Sequence, residues 1–168
     1  MTRDEGHAFL VVGRMIERSI GTVQTLGVAF DQGSLPFDVD AMLRSFSALQ
    51  AFRRRHGLAS DPLEVALFLL LAPEVPRSVF ACISRLDSRL DSISDADNVT
   101  RPRQLVGRLK SRLEFQQVEE EMRADPASTL DSLLTELFAI TESVGAHLFQ
   151  SAEVPTPTAQ FIRPGSER

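Results

Sequence analysis

The chain is predicted to be all-α, a helical bundle of about six helices. Apolar residues recur at steps of three and four through most of its 168 positions, the period of a helix with one buried face. Strict alternation is nowhere sustained, and no hairpin dipeptide joins two apolar runs. Proline and glycine fall between the periodic stretches, where helices stop and restart.

The first helix is expected over residues 4–30. Phe9, Val12, Ile16, Ile20, Val23, Gly27 and Phe30 fall on one side and His7, Arg14, Glu17, Arg18, Gly21 and Thr25 on the other, since each residue turns by about 100°. Asp4 and Glu5 suit its positive end, and Gly33 and Pro36 stop it. A second helix starts at Asp38 or Asp40, carries Met42, Leu43, Phe46, Leu49 and Phe52, and ends in Arg53-Arg54-Arg55-His56-Gly57, cations then glycine being C-terminal preferences. Asp61-Pro62 opens the third as N-cap and first-turn proline, with Glu64 spaced as in a capping box. Residues 63–71 are apolar nearly all round, so this helix is expected to be central and buried.

After a bend at Pro73, Pro76 is expected to open a helix with Val79, Ile83, Leu86, Leu90 and Ile93 inside and Arg85, Asp87, Arg89 and Asp91 in solvent. Cys82 lies in its apolar run, where a thiol packs as a small hydrophobe; the alternative is a reactive thiol whose pKa is lowered by Arg85 and Arg89 on the same helix. Pro102 begins a fifth helix with Leu105, Leu109 and Leu113, ending in the exposed run Glu119-Glu120-Glu121-Met122-Arg123. Asp125-Pro126 opens the sixth, whose stripe is Leu130, Leu133, Leu134, Leu137, Ile140, Val144 and Leu148. The bundle is taken as one domain over residues 1–150. Residues 151–168, with Pro155, Pro157, Pro164 and Gly165, are expected to form a flexible tail.

Composition narrows the function. With 43% hydrophobic residues, a chain of this size hides about 70% of its unfolded surface, enough for a core without disulfides or metal. A net charge of -5 argues against nucleic acid as a partner. Arg3, Asp4 and Glu5 interrupt any leading apolar run, and the longest such run, residues 65–72, is too short for a bilayer; a cytoplasmic protein without membrane contact is expected. None of His7, His56 or His147 has a Glu three residues earlier, as a di-iron bundle requires. Phosphate-binding glycine loop, nucleophile elbow and zinc spacing are likewise missing. No cofactor, no metal and no catalysis by this chain alone are expected.

Two groups of residues suit binding. Arg14, Glu17 and Arg18 lie at i, i+3 and i+4 on the first helix; either Glu17 orients an arginine fork toward a carboxylate or phosphate, or the three are an exposed face with ion pairs worth under about 0.5 kcal/mol. Arg77 and Ser78 stand in the first turn of the Pro76 helix, whose free N–H groups attract anions. With Arg53, Arg54 and Arg55 they form a candidate anion surface; the alternative is a capped helix start and a dipole-neutralising helix end.

Thr2-Arg3-Asp4-Glu5-Gly6 followed by Phe9-Leu10, Gly13-Arg14 and Glu17-Arg18 resembles the Alpha-E family, bacterial helical domains named for a Glu-Arg motif. Ala51-Phe52-Arg53-Arg54-Arg55-His56 resembles its Tyr-Arg-x-Arg-Tyr segment. Phe68-Leu69-Leu70-Leu71 leading to Pro76-Arg77-Ser78-Val79 resembles its apolar helix and Pro-Arg-Ser-Val turn. The chain departs from the pattern at His7, where Trp is common, at Phe52 and His56, which replace tyrosines, and at Glu74-Val75. The resemblance covers residues 1–93 and aligns with the C-terminal half of a domain about twice as long. It implies a fragment, a split-gene product or a displaced start, with a face left for the other half or a second copy.

Alpha-E proteins are fused to, or encoded beside, ATP-grasp-type ligases and transglutaminase-like proteins. The resemblance therefore implies a non-catalytic module of an amide-ligase peptide synthesis or modification system, docking a partner or holding an anionic peptide-like substrate. Its partner is then a ligase, a transglutaminase-like protein, a second Alpha-E half or a second copy in a homo-oligomer, and its candidate binding residues are Arg14, Glu17, Arg18, Arg53, Arg55, Arg77 and Ser78. Two alternatives stay open: a composite active site completed by a partner, and a structural dimerisation bundle.

Overall fold

The computed structural model describes residues 3–31, 38–58, 61–92 and 96–149, within which all regular structure is helical. In order come α1 (Arg3–Asp31), α2 (Val39–Ser45), α3 (Leu49–His56), α4 (Pro62–Leu71), α5 (Val79–Asp91), α6 (Ala96–Glu114), α7 (Gln117–Ala124) and α8 (Pro126–Val144), which runs on into a π-helical turn, Gly145–Phe149. No described helix is long and apolar enough to cross a membrane. The expected tail, the stop at Gly33 and Pro36, and Ile93 lie outside the described residues.

Eight described helices replace the expected six because two predicted helices each break at a left-handed residue. Ser47 has φ 57; its N–H donates to Arg44 O at 2.9 Å and that of Ala48 to Leu43 O at 2.8 Å. These are the two bonds of a Schellman ending, with serine in the place usually given to glycine. Gln116, at φ 62, separates α6 from α7 in the same region of backbone space. α6 also starts six residues before Pro102, which lies inside it. Tertiary packing extends this helix upstream: Val99 is fully buried, and Arg103 Nη2 donates to Leu90 O at 3.0 Å and pairs with Asp91 at 3.1 Å.

The N-caps follow sidechain chemistry. Asp38 accepts from Ala41 N at 2.9 Å, Asp61 from Leu63 N at 3.3 Å and Asp125 from Ser128 N at 3.1 Å, each satisfying a helix-end donor. Glu64 does not complete a capping box; its carboxylate meets Arg123 of α7 at 3.1 Å. α4 buries every residue from Val65 to Leu70 and touches α1, α2, α5, α6 and α7. Burying one such leucine contributes about 1.5–3 kcal/mol, so this decapeptide anchors the core.

α1 packs most extensively on α5 and α8. Its buried stripe is turned slightly from the predicted one: Met15, Ser19, Thr22 and Leu26 join Val12, Ile16 and Val23, while Ile20 and Gly27 sit at the margin. Ser19 and Thr22 tolerate burial because their hydroxyls bond backbone carbonyls of the preceding turn, at 2.9 Å each. Opposite α1, Arg112 of α6 ties three helices together, pairing with Glu121 of α7 and Glu136 of α8 and donating to Ser132 at 3.1 Å. Arg123 bonds Glu119 at 2.9 Å as well as Glu64. The acidic run of α7 is thus partly an interhelix surface and not wholly a solvated face.

Candidate functional site

The 72–78 turn is built around Ser78, which is fully buried. Its hydroxyl donates to Ala72 O at 2.6 Å and accepts from Ala81 N at 3.1 Å, so it closes the turn and N-caps α5 at once. The helix starts after this cap and not at Pro76. Ser78 is therefore out of reach of solvent, and its role in the Pro-Arg-Ser-Val stretch is to hold Arg77, one residue earlier, on the surface. Val79 enters the core.

Thr22 of α1 locks that turn in place. Its Oγ1 lies 2.9 Å from Arg18 O and 3.0 Å from Arg77 O, sharing one proton between a carbonyl of its own helix and one 55 residues away. The Arg77 guanidinium reaches α2, where Nη1 donates to Ser45 O at 3.2 Å. Arg18 and Arg77 consequently border one cavity of about 280 Å³, completed by Gly21, Thr22, Thr25, Ser45 and Phe46. Helical spacing already put Gly21 and Thr25 on the same side of α1 as Arg18, but nothing in it singled out Thr22, Ser45 or Phe46 for this site. A polar residue on the helical stripe otherwise apolar is the signal that marks Thr22.

Glu17 lies on the other flank. It borders a separate groove of about 720 Å³ between α1 and α8, with Gly13, Ile16, Ile20, Gly21, Gln24, Thr141, Val144 and Gly145. Successive residues on a helix are about 100° apart, so the Glu-Arg dipeptide divides between two concavities, with Gly21 on the ridge they share. Arg14 is exposed beside them. Among the described residues Glu17 pairs with neither Arg14 nor Arg18, and neither Arg18 nor Arg77 meets a carboxylate.

The arginines ending α3 do not join this site. Arg53 pairs with Asp40 at 2.6 Å and Arg55 with Glu74 at 3.3 Å; Arg54 is exposed. His56 stacks on buried Phe52, ring centroids 4.6 Å apart, and Phe68 meets Phe52 edge-on at 5.2 Å. The segment resembling Tyr-Arg-x-Arg-Tyr thus packs α3 on α4 through its aromatics and fastens the helix end through two of its arginines.

Cys82 is a buried free thiol whose Sγ lies 3.6 Å from Pro76 O. Burial pushes its pKa up, while a hydrogen bond with Ser19 and the positive field of Arg18, Arg85 and Arg77 pull the other way. A desolvated, protonated thiol is a poor nucleophile. Among the described residues no three His, Cys, Asp or Glu side chains gather in a way that would hold a metal ion.

Fold and site together define a helical bundle whose opening helix presents a split Glu-Arg pair beside a serine-closed arginine turn. A family model described as a predicted alpha-helical domain with a conserved ER motif, Alpha-E, matches residues 1–149, and the chain belongs to the Alpha-E family. Within those residues Glu17-Arg18 is the one Glu-Arg dipeptide. Comparisons with curated proteins and with solved structures give no match.

Proposed function

We propose that this chain is a non-catalytic helical module of an amide-ligase, ATP-grasp-associated peptide synthesis or modification system, and that it docks its partner along α1. The observation that carries the reading is the α1/α8 groove with Glu17 at its edge. Gly13 and Gly21 stand well inside a helix, where each costs about 1 kcal/mol relative to alanine, yet a Cβ built on either meets nothing within 4 Å. Packing inside the bundle does not require them, whereas close approach of a second backbone does. Beyond Gln24 the groove continues past Gly27, Val28, Ala127, Asp131 and Leu134.

The groove and its continuation carry the acids Glu17 and Asp131 and no cation. A second copy facing it through the same patch would set acidic surface against acidic surface, so the favoured occupant is a different chain with an apolar, basic face. The family's association with ATP-grasp-type ligases and transglutaminase-like proteins supports such a partner.

The test is capture of an ATP-grasp-type ligase from the same cell by wild type, Gly13→Leu and Glu17→Lys proteins of equal helicity. Gly13 borders the groove and not the arginine cavity, and its substitution meets open space. At least tenfold weaker capture by both variants is expected; capture equal to wild type would refute docking at this groove.

A further inference from the structure

We infer that the cavity between α1, the end of α2 and the 72–78 turn binds an oxyanion, a carboxylate or phosphate group, gripped between the guanidinium groups of Arg18 and Arg77. This goes beyond the docking reading, uses a different concavity and stands or falls separately from it.

Charge is the first argument. The cavity is bordered by two arginines and by no acidic residue. The chain has more acids than bases, and Arg53, Arg55, Arg103, Lys110, Arg112 and Arg123 each face a carboxylate. Two arginines lining the same recess without one leave a local positive potential in an acidic protein.

Positioning is the second. Arg77 is held at both ends, its carbonyl by Thr22 and its guanidinium by Ser45 O, on a turn closed from below by buried Ser78. One of its five N–H donors is engaged in this way, leaving the rest of the fork for a ligand. Arg18 projects from the middle of a 29-residue helix. Both cations are thus carried on supports fixed before any ligand arrives, which lowers the ordering cost of binding.

The third is selectivity. The hydroxyl protons of Thr22, Thr25 and Ser45 are directed at backbone carbonyls of their own helices or of the turn. The side-chain donors left facing the cavity are those of the guanidinium groups, which favour a charged, bidentate acceptor over a neutral hydroxyl compound. Buried Phe46 adds apolar lining, suited to the carbon stem of an acidic side chain or phosphate ester.

The experiment titrates the full, isotope-labelled chain with inorganic phosphate and, separately, with glutarate, at constant ionic strength, following the amide signals of Thr22, Thr25 and Arg77. Saturable shifts are expected with at least one probe, weakened at least tenfold in both Arg18→Gln and Arg77→Gln, and unchanged in Arg54→Gln. Tighter phosphate names a phosphate-bearing ligand; tighter glutarate names a carboxylate-bearing one. Arg77→Lys keeps the charge without the fork, so weaker binding at an unchanged melting temperature separates ligand binding from the bond to α2. Unsaturable shifts with both probes, or equal weakening in Arg54→Gln, would mean that only general ionic attraction is at work and would overturn the inference.

Discussion

Replacing Gly13 and Gly21 by alanine should make the protein more stable. Both lie on the exposed side of α1, well inside Arg3–Asp31, and a methyl at either position meets open space. Steric strain and cavity filling therefore drop out, leaving the backbone entropy that glycine loses and alanine does not, about 0.8–1.0 kcal/mol per site. The sites are eight residues apart, about 12 Å along the helix, so their effects should add to about 2 kcal/mol. For a domain of this size each kcal/mol raises Tm by about 2–4 °C, giving a rise of about 4–8 °C for the double variant. Scanning calorimetry measures this directly, and urea unfolding should show a later midpoint with an unchanged slope. A melting temperature at or below that of wild type would refute the reasoning, because it would mean that the glycines serve contacts inside the bundle. Under the proposed function the stabilised variant should also capture its ligase partner less well, since both methyls intrude where a second backbone approaches.

Three further outcomes test the structure. Arg112→Met leaves Glu121 and Glu136 facing one another without their shared cation and should cost about 2–3 kcal/mol by urea unfolding; Glu121→Gln should restore part of that loss in the double variant, and additive effects would disprove the shared network. Ser47→Gly relieves a left-handed residue at φ 57 and should add about 1 kcal/mol, whereas a loss would place the serine side chain in a contact that stabilises the turn. The third concerns alkaline pH. The hydrogen bond to Asp87 raises the pKa of Lys110 above its ordinary 10.5 despite some desolvation, and burial raises that of Cys82 above 9.0. In both cases the folded state keeps a proton that the unfolded chain has lost, so these contributions are complete below the unfolded values and decline as pH rises through the folded ones. Stability should fall from about pH 9 upward, less steeply in Lys110→Met with Cys82→Ala, and Ellman's reagent should reach Cys82 at the rate of unfolding. Fast thiol reaction at neutral pH would contradict the burial.

Much of the bundle was legible because its signals are local. The aspartate caps at 38, 61 and 125, the buried helix within the 63–71 stretch and the stripe of α8 from Leu130 to Val144 each depend on residues within a few positions of one another, and the structure has them; Leu148 lies outside the residues whose side chains are described. The two extra breaks were not legible, because serine and glutamine occupy left-handed positions where glycine is the usual marker. Nor was the upstream start of α6, since it depends on packing against elements distant in sequence, α5 among them.

For the site, the sequence by itself determined the family, the long opening helix and the identity of its charged residues. Helical spacing put Arg14, Glu17 and Arg18 on one side of α1; Arg14 and Glu17 are exposed there, while Arg18 is half-buried on the flank away from Glu17. Tertiary structure alone decided which of the seven candidates meet. Arg18 and Arg77 share a cavity because Thr22 fastens α1 to a turn 55 residues away; Glu17 faces α8 instead; Arg53 and Arg55 are paired with Asp40 and Glu74; Ser78 is closed into the core. Periodicity specifies the direction in which a side chain leaves its own helix, but what it finds there depends on the packing of helices distant in the chain.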